Sequence, residues 1–314
     1  MDKFNFCRFK KYNLAVLIDL LTDKLVLTIK TIKVRKLFQT ISTLNLTSYI
    51  FKKELEGHTS GVFSLIKINK TKIASASADK AIKIWDLSNN SFKTLNGHTS
   101  YVYTLLKLNE QIIMSASEDK TMKIWNITIG ECIATLVGHT KAVNSIKKIS
   151  KKLTSNMIAS GSSDKTLKLW EIIEKSENNE QCNSFCDSFN WTCILTLTGH
   201  TDAITTIEKL SQNKICSGSS DGYIKIWDIL TGVCLNRLIG HERNISSLVK
   251  LSNTQIISGG CDNLIKIWDI SRRDCLKTFY GNTKLGKRIF IVKLSKVQIV
   301  SGGGERFIKI WDLI

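Results

Sequence analysis

Proline is missing altogether from the 314 residues, so every turn must be built from Gly, Asn, Asp and Ser. Long apolar runs are missing as well. The longest near the N-terminus, Leu14–Leu21, contains Asp19 and falls far short of the ~20 residues that a membrane-spanning helix needs. No small-residue cleavage site follows it, so neither a secretory leader nor a membrane partner is expected, and a cytoplasmic or nuclear location is. Acidic side chains are scarce, 27 against 45 basic ones, for a net charge of +18. Hydrophobic residues make up 43% of the chain, which is enough for a core and argues against disorder.

What is present repeats. Gly-His pairs stand at Gly57-His58, Gly97-His98, Gly138-His139, Gly199-His200 and Gly240-His241, with Gly281-Asn282 where a sixth is due. Tryptophans follow at Trp85, Trp125, Trp170, Trp227, Trp268 and Trp311. The Gly-His spacings are 40, 41, 61, 41 and 41 residues. A period near 40 that opens on Gly-His and closes on Trp-Asp is the signature of propeller blades. Over Glu54–Ile314 the chain resembles the WD-repeat family, and six in-phase copies make the resemblance specific. It implies an all-β fold, a β-propeller of four-stranded blades forming one domain over 1–314. In the repeat Gly97–Asn126 and its continuation, Val102–Leu106, Gln111–Ser115, Thr121–Trp125 and Cys132–Leu136 have strand character. Met122-Lys123-Ile124-Trp125 alternates with period two.

Residues 49–314 hold the six recognisable repeats. Laid under the second of them, Leu25–Thr28 and Thr31–Arg35 match two strands, Leu14–Ile18 supplies an inner strand and Tyr49–Leu55 an outer one. Residues 1–48 are therefore expected as a degenerate blade plus a closing strand, Phe4–Phe9, which pairs with the last strands near Ile289–Trp311. Seven blades result, with a six-bladed ring and an N-terminal appendage as the alternative. The insertion Ile172–Asn190 is polar, acidic and aperiodic, and is expected as a mobile loop.

Each intact repeat supplies a His, a Ser four residues before an Asp, that Asp, and a Trp six residues later. The sets are His58/Ser75/Asp79/Trp85, His98/Ser115/Asp119/Trp125, His139/Ser160/Asp164/Trp170, His200/Ser217/Asp221/Trp227 and His241/Ser258/Asp262/Trp268. Ser, His and Asp are the residue types of acyl-transfer triads, but an enzyme needs one activated nucleophile beside an oxyanion site, not five equivalent copies. A hairpin near Lys80 is expected to set Ser75 opposite Trp85, so that the hydroxyl accepts the indole N–H and the His bridges hydroxyl to carboxylate. The family resemblance implies the same network. A weaker sixth set is Asn282, Ser301, Glu305 and Trp311.

Of the nine cysteines, Cys132, Cys193, Cys234 and Cys275 share one repeat position and are expected as small buried residues that cannot pair with one another. Cys182 and Cys186 lack a second pair or His at zinc spacing. No cofactor, metal or small-molecule substrate is expected. A third-strand series, Lys83, Lys123, Lys168, Lys225, Lys266 and Lys309, is either a footprint for RNA or acidic partners or a solvated stripe that protects sheet edges.

The resemblance implies that partner proteins sit on the face carrying the His loops and Asp turns. The candidate contacts there are Phe63, Tyr101, Tyr103, Glu118, Asn144 and Arg243, with the first three forming an aromatic cluster. The functional expectation is a non-catalytic interaction scaffold or adaptor. The alternatives are a basic RNA- or ribosome-associated propeller, or a substrate-receptor subunit of a ubiquitin ligase, although residues 1–48 show no helical F-box pattern.

Overall fold

A computed structural model of the chain describes residues 54–149, 157–174, 189–281, 286–295, 297–303 and 308–313. The regular structure of these residues is β-strand throughout, arranged as six antiparallel sheets. Blade one comprises β1 (Val62–Lys67), β2 (Lys72–Ser77), β3 (Ile82–Asp86) and β4 (Ser91–Leu95). Blade two comprises β5 (Val102–Lys107), β6 (Ile112–Ser117), β7 (Met122–Asn126) and β8 (Glu131–Leu136). Blade three comprises β9 (Val143–Lys148), β10 (Met157–Ser162), β11 (Leu167–Glu174) and β12 (Phe189–Leu197). Blade four comprises β13 (Ile204–Lys209), β14 (Lys214–Ser219), β15 (Ile224–Asp228) and β16 (Cys234–Leu238). Blade five comprises β17 (Ile245–Lys250), β18 (Gln255–Gly260), β19 (Leu264–Asp269) and β20 (Asp274–Tyr280). Blade six has three strands, β21 (Phe290–Lys293), β22 (Gln298–Gly302) and β23 (Ile308–Asp312).

The described residues thus form six blades, the number of the alternative reading. The expected seventh blade, its closing strand Phe4–Phe9, and most of Tyr49–Leu55 lie outside the described residues. In each blade the strands follow one another in chain order, and the first strands β5, β9, β13, β17 and β21 each lie beside the first strand of the blade before. The inner strands therefore stand around the propeller axis, while β4, β8, β16 and β20 face outward with mostly exposed side chains.

The core lies between blades. Ala74, Ile82 and Leu95 of blade one pack with Val102, Leu105 and Trp125 of blade two. Met114 and Ile124 of blade two pack with Val143, Ile146 and Trp170 of blade three in the same way. Second strands such as IIMSAS and MIASGS are buried on both faces, and their small residues set how closely blades approach. A Cβ on Gly161 would stand 2.6 Å from Ile204 Cγ2 of the next blade, and one on Gly218 would stand 2.6 Å from Ile245 Cγ2.

Three local expectations change. The register pairs Ser75 with Lys83 and Ile73 with Trp85, so Ser75 and Trp85 are diagonal neighbours on one face rather than directly opposed. The four equivalent cysteines are exposed, and the buried ones among the described residues are Cys216 and Cys261. A β-bulge explains this. Register shifts beside Trp125, Trp170, Trp227 and Trp268, which pair with Cys132, Cys193, Cys234 and Cys275. The extra residue of each bulge, Ile133, Ile194, Leu235 or Leu276, breaks the alternation and so re-aims the cysteine before it. Finally, both ends of the insertion are strand. Ile172, Ile173 and Glu174 pair with Trp191, Asn190 and Phe189, which lengthens the β11–β12 hairpin. Residues 175–188, with Cys182, Phe185 and Cys186, lie outside the described residues.

Candidate functional site

The five complete sets come together. Each His Nδ1 lies 2.7–2.8 Å from the Asp Oδ2, and each Nε2 lies 2.6–2.8 Å from the Ser Oγ. Each Trp Nε1 donates to the same Ser Oγ at 2.7–2.8 Å. The proton positions follow from donor chemistry. The indole N–H can only donate and an ionised carboxylate can only accept. The serine hydroxyl therefore donates to His Nε2, and His Nδ1–H donates to the Asp. In blade six Trp311 Nε1 donates to Ser301 Oγ at 2.8 Å, while Asn282 and Glu305 lie outside the described residues.

Each Asp also gathers backbone donors. Asp79, Asp119, Asp164, Asp221 and Asp262 accept at Oδ2 from the N–H of the residue after the His, at 2.9–3.1 Å. At Oδ1 they accept from the N–H two residues downstream, at 3.0–3.1 Å. Burial alone would raise the Asp164 and Asp221 carboxyls. The hydrogen bonds from Thr166, Thr140 and His139 to Asp164, and from His200, Tyr223 and Thr201 to Asp221, outweigh it and bring each to about 2. Burial pushes the imidazoles of His58, His98 and His139 down, against the pull of their carboxylates. The glycine of Gly-His has a steric reason. A Cβ there would stand 3.1 Å from Trp125 Cη2 at Gly97, 2.9 Å from Trp170 Cη2 at Gly138 and 3.0 Å from Trp268 Cη2 at Gly240.

The connectivity is that of an acyl-transfer triad, but the environment is not. Ser75, Ser115, Ser160, Ser217 and Ser258 are at most 1% exposed, and each oxygen already receives an indole N–H. No substrate carbonyl can approach that oxygen, so the sets brace their blades. Among the described residues no group of three His, Cys, Asp or Glu side chains is placed to hold a metal, and no helix is long and apolar enough to cross a membrane.

The third-strand lysines turn outward within their own blades. Lys83, Lys123, Lys168 and Lys266 donate to Thr94, Thr135, Thr196 and Thr278 of the outer strand at 2.8–3.1 Å. Lys225 faces Arg237 where the others face Thr, and Lys309 lies 5.4 Å from the Trp311 ring centroid.

On the face of the His loops, Phe63 lies 6.1 Å from Tyr101 and 5.4 Å from Tyr103, ring centre to ring centre. Tyr101 is 43% exposed. Burial, followed by the Glu118 carboxylate that its phenol meets, pushes Tyr103 up to about 12. Glu118 also accepts from Ser100 Oγ at 2.5 Å. Asn144 is turned into the structure, where its Nδ2 donates to Ser163 Oγ at 3.0 Å and to Ile204 O of the next blade at 2.8 Å. Thr205 and Ser246 hold the same position and reach Ile245 O and Ile289 O of the blades after theirs. Arg243 is exposed and is joined by Arg288, whose charge acts on both Tyr103 and Cys261. Sequence reasoning missed Arg288 because the contacts are counted from each His, and Ile289, which accepts from Ser246 as Ile245 does from Thr205, stands seven residues after Asn282 where Ile245 stands four after His241.

The family model described as WD domain, G-beta repeat matches residues 50–86, 89–126, 130–171, 191–228 and 232–269, more than half of the chain. The chain is a WD-repeat protein. Propellers of this family typically serve as protein-interaction scaffolds. No curated protein sequence matches this WD-repeat chain. Among solved structures it is similar to the computationally designed Ika8 protein, with 29% identity, a TM-score of 0.65, and coverage of 82% of this chain and 73% of the other. It is also similar to U3-55K, with 20% identity, a TM-score of 0.68, and coverage of 83% and 80%. The second likeness shows the fold alone.

Proposed function

We propose that this WD-repeat chain is a non-catalytic adaptor that holds a partner protein on the face of its His loops. The observation that carries the reading is Tyr101, a large ring 43% exposed and seated against Phe63. Exposed aromatic anchors contribute a large share of binding energy at interfaces. Arg243 and Arg288 lie exposed on the same face and supply donors for a polar rim. The bound partner's affinity for the native chain and for Tyr101→Ala is the test. A loss of about tenfold or more, with Tm unchanged and little dependence on salt, supports the reading. Affinity that survives Tyr101→Ala overturns it.

The net charge of +18 favours one second reading, an RNA- or ribosome-associated propeller. RNA affinity that falls steeply between low and moderate salt, with a slope of several phosphates, together with nuclease-sensitive capture of partners, would select it.

A further inference from the structure

At the end of the inner strands opposite Tyr101, six lysines hold one repeat position. They are Lys67, Lys107, Lys148, Lys209, Lys250 and Lys293, the last residues of β1, β5, β9, β13, β17 and β21. Each lies opposite an isoleucine of the second strand: Ile73, Ile113, Ile158, Ile215, Ile256 and Ile299. The side chains do not splay into solvent. Lys107 Nζ donates to Ile68 O, Lys209 to Ile149 O, Lys250 to Leu210 O and Lys293 to Leu251 O. Lys148 Nζ lies 3.4 Å from Leu108 O. Every one of these acceptors belongs to the blade before, immediately beyond its inner strand. The ammonium groups of Lys107, Lys148, Lys209, Lys250 and Lys293 are thus held at one level, blade after blade, from blade two to blade six.

We propose that this ring binds a compact, multiply charged phosphate anion, at a site separate from the partner face and independent of the adaptor reading. The contacts that fix the lysines leave their charge in place. Each acceptor is a neutral carbonyl, and an ammonium group has three N–H donors, so donors remain after that bond. Lys250 also meets Asn253 Oδ1 at 3.2 Å. Among the described residues, Lys107, Lys148, Lys250 and Lys293 have no carboxylate oxygen within 4.0 Å. The nearby carboxylate of Glu208 is engaged 2.7 Å from Lys147, the residue before the ring position. The like charges of Lys107, Lys148, Lys250 and Lys293 repel one another, and an anion among them relieves the repulsion.

The donor type argues for phosphate. Lysine ammonium is a compact point charge suited to phosphate oxygens, whereas planar carboxylates are matched by the arginine fork, and no arginine occupies the position. The surroundings argue against single-stranded nucleic acid, whose binding sites stack bases on aromatic rings. The aromatic residues of the inner strands, Phe63, Tyr103 and Phe290, all lie in the opposite half. From Phe63 to Lys67 the rise is roughly 13 Å.

The test titrates the full chain at low salt with inositol hexakisphosphate and, separately, with tripolyphosphate. Lys107→Gln/Lys250→Gln is compared with Lys123→Gln/Lys266→Gln, which removes equal charge from the third strands. One saturable anion per chain is expected, with affinity about tenfold or more weaker in the ring variant and under about threefold weaker in the control. Tighter binding of the cyclic anion points to an inositol phosphate, and tighter binding of the linear one to a polyphosphate chain. Because ring variants could be misfolded, the unmodified chain is also labelled with an acetylating reagent. The bound anion is expected to shield Lys107, Lys148, Lys250 and Lys293 but not Lys120 or Lys165, exposed lysines of the Asp turns. No saturable binding of either anion, equal losses in both variants, no selective shielding, or tighter binding of an oligouridylate than of either anion would each overturn the proposal.

Discussion

Gly138 lies under the edge of the Trp170 indole, so closely that a Cβ on the glycine would stand 2.9 Å from Cη2 of the ring. The Gly of each Gly-His pair is thus the seat of an indole rather than a flexible link. Gly138→Ala should lower stability by about 1–3 kcal/mol through overpacking, read as a drop in denaturation midpoint with an unchanged slope. A neutral result would mean that the His139 loop moves away from Trp170 freely.

Ser115 serves two partners at once, accepting from Trp125 Nε1 at 2.8 Å and donating to His98 Nε2 at 2.7 Å. Ser115→Ala leaves both buried groups unsatisfied, at about 1–3 kcal/mol for each. In a Trp125→Phe background one of those groups is already gone, so the same substitution should cost less. A double-mutant cycle measures the difference. Strict additivity would show that the bonds are not coupled.

Acid should weaken the fold in two steps. Burial holds His58, His98 and His139 below their ordinary 6.5. The unfolded chain therefore takes up protons first, and their contribution is complete above 6.5 and declines as pH falls below it. The carboxylates act lower down. With Asp164 and Asp221 brought to about 2, their contribution is present above the ordinary 3.8 and is lost as pH falls toward 2. A melting temperature near pH 5 equal to or above that near pH 7.5 would contradict the first step.

Thiol labelling should separate two classes. Cys132, Cys193, Cys234 and Cys275 are exposed, whereas Cys216 is fully buried and burial drives its thiol pKa upward. Iodoacetamide on the native protein should modify those four and reach Cys216 only on unfolding. Labelling of Cys216 as fast as that of Cys132 would mean that blade four opens readily.

The period, the blade strands and the membership of the bracing sets were legible because each set recurs at fixed strand positions. The pairing detail was not. Ser75 looked opposite Trp85 until the register placed it opposite Lys83. The four equivalent cysteines looked buried because the pattern continued an apolar strand, and a bulge cannot be read from alternation. Blade one, whose Trp85 pairs with Phe92 without a register shift, has no cysteine there. The inner-end lysines had a signal, nine residues after each His from His58 to His241. Nothing within a single repeat shows that their partners belong to the neighbouring blade.

The stitches between blades run both ways. Thr205 and Ser246 fasten forward at one end of the axis, and Lys250 and Lys293 fasten backward at the other. A nick in one exposed turn therefore severs the backbone without freeing either half, since both remain clasped by adjoining sheets. A protease-clipped sample should elute as one particle under native conditions and come apart only in denaturant.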